Sequence, residues 1–146
     1  MPITYQLKPD ERLVIFIHVG VVTDEEFLSF YKALYEENRF DKSFNALVDL
    51  RQTESTVRSA EALTEFAEFI HEQYTNITSR PKVAVVAPED ISFGLARMYE
   101  VFSGDVPWEF LVFREVDSAL AWLGVSENLM DDLDQSAPPE YSPDPE

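Results

Sequence analysis

Few residues of this chain have both the type and the spacing to do chemistry. Its two histidines, His18 and His71, can each titrate near neutral pH. Neither has a partner at metal-ligand spacing, and no third or fourth ligand stands nearby. His18 follows Phe16 on one face of an apolar run, and His71 falls on the polar side of a helical pattern, so a core and a surface histidine explain both. Asp49 closes another apolar run, at a place where α/β folds often put functional groups. Capping or loop bonding explains Asp49 equally well. A hydrolase or isomerase built on Asp49 and His18 would need the two within hydrogen-bond reach inside a cleft. Glu89 and Asp90 read as favourable charge at a helix N-terminus.

The chain has no cysteine, which excludes disulfides and thiolate chemistry. It has no Gly-rich phosphate loop and no Ser-His-Asp arrangement. The expectation is a protein that is not an enzyme and that uses no cofactor and no metal. Two weaker sets of candidates remain. Ser55, Thr56 and Ser59 offer hydroxyls for phosphorylation or for contact with a partner. A phosphate on Ser59 would gain from the helix dipole, whereas an ordinary N-cap there contributes about 1 kcal/mol. Phe30, Phe69 and Phe93 sit at the edge or back of their helices' apolar stripes. They could form an apolar interface or ligand groove, or lie under the tail, a loop or a second subunit.

The elements that position these residues are readable in outline. Ile3, Tyr5 and Leu7 alternate with polar neighbours, as a half-buried strand does. Lys8-Pro9-Asp10-Glu11 is turn chemistry, and Arg12 to Val19 is apolar on both faces, as a central strand of the resulting hairpin. Gly20 is read as its end. Thr23 and Glu26 form a capping box for a helix reaching about Asn38, with an apolar stripe about 160° wide. Phe44 to Leu50 is the next strand, followed by a polar loop from Arg51 to Arg58. Ser59 caps a helix to about Tyr74, with Leu63, Phe66, Ala67, Ile70 and Tyr74 inward. Lys82 to Ala87 is a strand, and Ile91, Leu95, Met98 and Phe102 mark the inner face of a third helix, with Phe93 pointing away. Trp108 to Phe113 is the last strand, and a short helix ends at Leu123-Gly124. The order ββαβαβαβα predicts an α/β fold with a mixed sheet, antiparallel at its opening hairpin and largely parallel afterwards, flanked by helices.

The formal charge is −17, from 28 acidic and 11 basic residues. Residues 1–124 carry 21 of the acids and all the bases, a net −10. Residues 125–146 are acidic and proline-rich, and read as a disordered tail in which Leu129, Met130 and Leu133 could dock transiently. So negative a surface repels phosphate backbones and anionic headgroups, which argues against nucleic acid and favours a basic partner. The longest apolar run, Leu13 to Ile17, is too short to span a membrane. The charged N-terminus lacks a signal-peptide core, so a cytoplasmic location is expected.

With ALVDLRQTE, KVAVVAPEDISFGLARMYEVF and VFREVDSALAWLG in register, residues 1–124 resemble the STAS-like family of small bacterial proteins. That family is related in fold to the sporulation anti-sigma-factor antagonists, and distantly grouped with Sec14-type (CRAL-TRIO) lipid-binding domains. The resemblance implies a regulatory domain that binds proteins. In the antagonists an Asp-Ser-x-Gly-like sequence after a strand is phosphorylated to release an anti-sigma kinase. The matching stretch, Asp49 to Ser59, keeps hydroxyls at Ser55, Thr56 and Ser59 but has neither the Asp-Ser pair nor the glycine. Two functions are therefore expected: regulation through a protein partner, with a homodimer allowed, or binding of a small apolar molecule or lipid in a groove between helices, with membrane association allowed.

Overall fold

A computed structural model of the chain describes residues 2–55, 58–75, 80–88, 90, 93, 94, 97, 108–126 and 129. Five strands lie in sequence order across one sheet: β1 (Ile3–Lys8), β2 (Leu13–Val21), β3 (Asn45–Ser55), β4 (Lys82–Val86) and β5 (Glu109–Phe113). β1 pairs antiparallel with β2, and every later pair is parallel. The hairpin turns through a short 3-10 segment at Pro9–Glu11, where proline presets φ, and Arg12 closes it in a left-handed conformation (φ 52°).

Helices α1 (Asp24–Glu36) and α2 (Ala60–Gln73) connect neighbouring parallel strands. Because the strand order advances by one neighbour each time, crossovers of one hand put both helices on the same face. That face holds the larger core: Val14, Phe16, Ala46, Leu50, Val83 and Val85 meet Phe30, Tyr31, Leu34, Leu63 and Ile70. Strand alternation sends Leu13, Ile15, Leu47, Ala84 and Val86 to the opposite face. There they pack on α3 (Val116–Leu123), which follows the last strand and ends at Gly124 in the left-handed region (φ 74°). β2 is thus buried on both faces, as its unbroken apolar sequence requires.

Three readings of the sequence change. β2 runs through Gly20 (φ 71°) to Val21 instead of stopping at the glycine. β3 continues through Ser55, so most of the expected Arg51–Arg58 loop is strand. Two register shifts against β2, at Ile17/Val19 and Gly20/Val21, accommodate it. Leu129, placed by the sequence in a disordered tail, is buried in the second core with its amide donating to the Ser126 carbonyl at 3.1 Å. The third helix's inner residues Ile91, Leu95, Met98 and Phe102, and the tail's Met130 and Leu133, lie outside the described residues. No helix among the described residues is long and apolar enough to cross a membrane.

Candidate functional site

The inner faces of α1 and α2 are aromatic. Phe27, Tyr31 and Tyr35 recur at four-residue spacing on α1, and α2 supplies Phe66, with Tyr74 as its C-cap. These rings bind the helices to each other: Phe27 and Phe66 have centroids 4.7 Å apart, and the Tyr35 and Tyr74 hydroxyls are 2.9 Å apart. Beneath them the central strands carry small side chains. Ala46 pairs with Val83, and Val48 with Val85, on adjacent strands. Bulky rings above and small residues below hold the two layers apart, and a cavity of about 120 Å³ remains between them.

Its lining is almost wholly apolar, with His18, Arg58 and Trp108 as the polar exceptions that matter. These three are at least nine-tenths buried, at 4%, 8% and 4% exposure. Each also has one nitrogen without a hydrogen-bond partner: His18 Nδ1, Arg58 Nη2 and Trp108 Nε1. Among the described residues, no other buried side-chain nitrogen or oxygen is left in that state. An unsatisfied buried donor costs about 1–3 kcal/mol. Their coincidence around one cavity is therefore a costly arrangement for a purely structural core.

Each of the three is fixed by its surroundings. His18 Nε2 lies 2.9 Å from the Tyr31 hydroxyl. Burial pushes the imidazole down to about 3, with the Arg58 charge as a second cause, so the ring is neutral. Burial likewise raises the Tyr31 phenol. Arg58 stacks on Phe27, its Cζ 5.2 Å from the ring centroid, and Nη1 donates to Asp24 Oδ1 at 3.0 Å. Burial lowers its guanidinium from the usual value while Asp24 and Glu26 oppose that shift, and it remains a cation. Trp108 stacks edge-on to Tyr74 at 5.1 Å. It precedes β5, at the opposite end of the strands from His18.

The residues singled out in the sequence fall elsewhere. Phe30 is buried among Tyr5, Phe16 and Tyr31, because α1 lays that edge of its stripe over β1 and β2. Phe69 is half-buried, beside Tyr35 and under the Lys32 ammonium. Phe93 does not point outward. It packs against the larger core, with the Arg114 guanidinium 4.3 Å above its ring. None of the three lines the cavity, which uses the centres of the stripes and not their edges.

Ser59 is the N-cap of α2, its hydroxyl accepting from the Ala62 amide at 3.0 Å. Ser55 ends β3, and Thr56 lies outside the described residues. Asp49 and His18 are not brought together. Asp49 stands opposite Ile17 and shares the α3 face of the sheet with Leu47, whereas His18 faces α1. Asp49 accepts from the Arg51 amide at 3.0 Å and from both Nε and Nη2 of the Arg51 guanidinium. His71 is exposed on α2. Among the described residues, no three His, Asp or Glu side chains gather as a metal site. Sequence reading missed Arg58 and Trp108 altogether. The i, i+4 run Phe27-Tyr31-Tyr35 was the available signal for an aromatic wall.

The SpoIIAA-like family matches residues 13–124. A search of curated proteins gives no match. Among solved structures, the chain is similar to an uncharacterised protein of the DUF3478 family with a SpoIIAA-like fold from Shewanella loihica PV-4. The two are 20% identical with a TM-score of 0.54, over 83% of this chain and 91% of that one. That likeness concerns the fold, and its α/β architecture agrees with the one described above. The chain belongs to the SpoIIAA-like family.

Proposed function

We propose that this chain is a binding domain and not an enzyme, and that it holds a small apolar molecule in the cavity between the sheet and helices α1 and α2. The observation carrying this reading is the aromatic-lined space of about 120 Å³ with three unpartnered buried nitrogens around it. An apolar pocket with a few convergent polar groups is what small-molecule sites look like. The separation of Asp49 from His18 on opposite faces of the sheet removes the pair on which hydrolysis could have been built. Native mass spectrometry of protein purified gently from its host tests the reading. A retained apolar adduct on wild type, absent from the cavity-filling variant Val48→Phe, is the expected result. A bare mass, with no uptake of either added 2-heptanone or added hexanoate, overturns it.

A second reading rests on a separate observation. SpoIIAA-like domains are in general regulatory. Here Val19 and Val21 are 44% and 57% exposed where β2 and β3 extend beyond β1 and β4. Two exposed valines on a chain of charge −17 suit a partner with a basic, partly apolar surface. Pull-down with wild type and with Val19→Ser/Val21→Ser, against a charge-matched control, tests it. Equal recovery on all three baits removes the reading.

A further inference from the structure

Two of the three unpartnered nitrogens specify what kind of molecule fits. An arginine Nη and an indole Nε1 can only donate, so the missing partner must accept. His18 Nδ1 also donates when Nε2 accepts from the Tyr31 hydroxyl, the tautomer in which the buried phenol proton has an acceptor. Arg58 and His18 belong to one end of the cavity. Arg58 covers Phe27, whose ring is 5.3 Å from that of Tyr31, and Tyr31 holds His18. Trp108 belongs to the other end. The end with Arg58 is therefore the one that carries charge.

Resting on the cavity reading above, we infer that the ligand is a small apolar monocarboxylic acid, bound with its carboxylate at Arg58 Nη2 and His18 Nδ1 and its hydrocarbon body along Val48 and Phe16 toward Trp108. Arg58 suits this role because a guanidinium donates along several directions at once. Its Nη1 is committed to Asp24 Oδ1, and Glu26 adds negative charge nearby, but the buried Nη2 has no partner on the protein. Water would suit only the Arg58–His18 end, where two donors converge, and not the rest of the cavity. It needs two to four polar partners, and most of the cavity offers only ring faces and methyl groups. A cavity near 150 Å³ holds benzene, so about 120 Å³ suits a body of about five or six carbons. The overall charge of −17 weakens binding of anions at the surface. At 0.1 M salt that long-range field decays over about 10 Å, whereas contact with buried Arg58 is not screened.

The test compares hexanoate with 2-heptanone, in which a methyl group replaces one carboxylate oxygen, by calorimetry at pH 7.5. Wild type should bind hexanoate at least tenfold more tightly than 2-heptanone. Arg58→Met should keep 2-heptanone binding and lose the preference, and Arg58→Lys should restore part of it. Equal affinity of wild type for the two compounds overturns the carboxylate assignment while leaving the apolar cavity in place. So does full hexanoate affinity in Arg58→Met. If wild type binds neither compound, the cavity reading fails and this inference fails with it. Because the wild-type comparison needs no variant, the outcome is decided even if Arg58→Met does not fold.

Discussion

His18 Nε2 and the Tyr31 hydroxyl lie 2.9 Å apart, joining β2 to α1 beneath the aromatic wall of the cavity. Burial keeps the imidazole neutral by lowering its value to about 3 from 6.5, which leaves Nε2 able to accept from the phenol. Between those two values the unfolded chain binds a proton that the folded chain refuses. The His18 contribution to stability must therefore fall as pH drops through 6.5 toward 3, by at most about 1.4 kcal/mol per pH unit for one proton. His18→Gln keeps a hydrogen-bonding group opposite Tyr31 and removes the titration. Urea unfolding across this range should show the variant gaining on wild type below pH 6.5, with a constant difference above it. Parallel curves at all pH values would refute the buried neutral histidine, since the carboxylates titrate in both proteins and cancel.

Asp49 makes a different kind of contribution. It is 2% exposed and receives the Arg51 amide and guanidinium beside the register shift between β2 and β3. A bulge interrupts the ladder, and beside this one the carboxylate accepts from a backbone amide. Asp49→Ala removes the bonds from the Arg51 amide, Nε and Nη2, so it should cost about 1–3 kcal/mol in chemical denaturation. Affinity for hexanoate should not change, because Asp49 lies on the α3 face. A drop in affinity without a drop in stability would contradict that placement.

How far the sequence discloses this site depends on the range of the forces involved. The Thr23–Glu26 capping box is legible because both of its bonds, at 3.1 and 2.9 Å, are closed within one turn. The opening hairpin is legible for the same reason. The polar run Arg51–Ser55 reads as a loop, yet it is strand because β2 offers it a parallel neighbour as far as Val21. Context overrides propensity there. Arg58 reads as the end of a polar loop, next to a helix cap. Asp24 and Phe27, which bury and pair it, come from the preceding helix, and no local pattern announces that contact. Phe30, Phe69 and Phe93 lie off the cavity for a related reason. A helical wheel locates a stripe's edge but not the strand or cation that covers it.

The tyrosines give a spectroscopic check on the aromatic layer. Tyr74 is raised to about 12 by burial, with its bond to Tyr35 acting in the opposite sense, and burial raises Tyr31 further and Tyr5 as well. Two of the six tyrosines, Tyr31 and Tyr74, should therefore stay un-ionised at pH 11 while the fold holds. Absorbance at alkaline pH should rise in two phases, and urea should merge them near pH 10. Tyr74→Phe should shrink the late phase and, by removing the 2.9 Å bond to Tyr35, cost about 1 kcal/mol. A single phase near pH 10 in the native protein would mean that these hydroxyls are open to water.

Leu129 tests whether the second core ends where the composition changes. It stands among acidic and proline-rich neighbours, yet is 6% exposed and clusters with Leu13, Leu47, Leu120 and Leu123 against the lower face of the sheet. Burial of a leucine side chain contributes about 1.5–3 kcal/mol, and truncation leaves a void besides. A fully disordered residue would lose nothing on truncation, because its side chain would be wet in both states. Leu129→Ala should therefore lower stability by about 2 kcal/mol in denaturant titration. The slope of the transition should stay unchanged, since the rest of the core still unfolds as before. A change below about 0.5 kcal/mol would detach Leu129 from the core and return the boundary to Gly124. Because the α3 face lies across the sheet from the cavity, ligand affinity should be the same in both proteins.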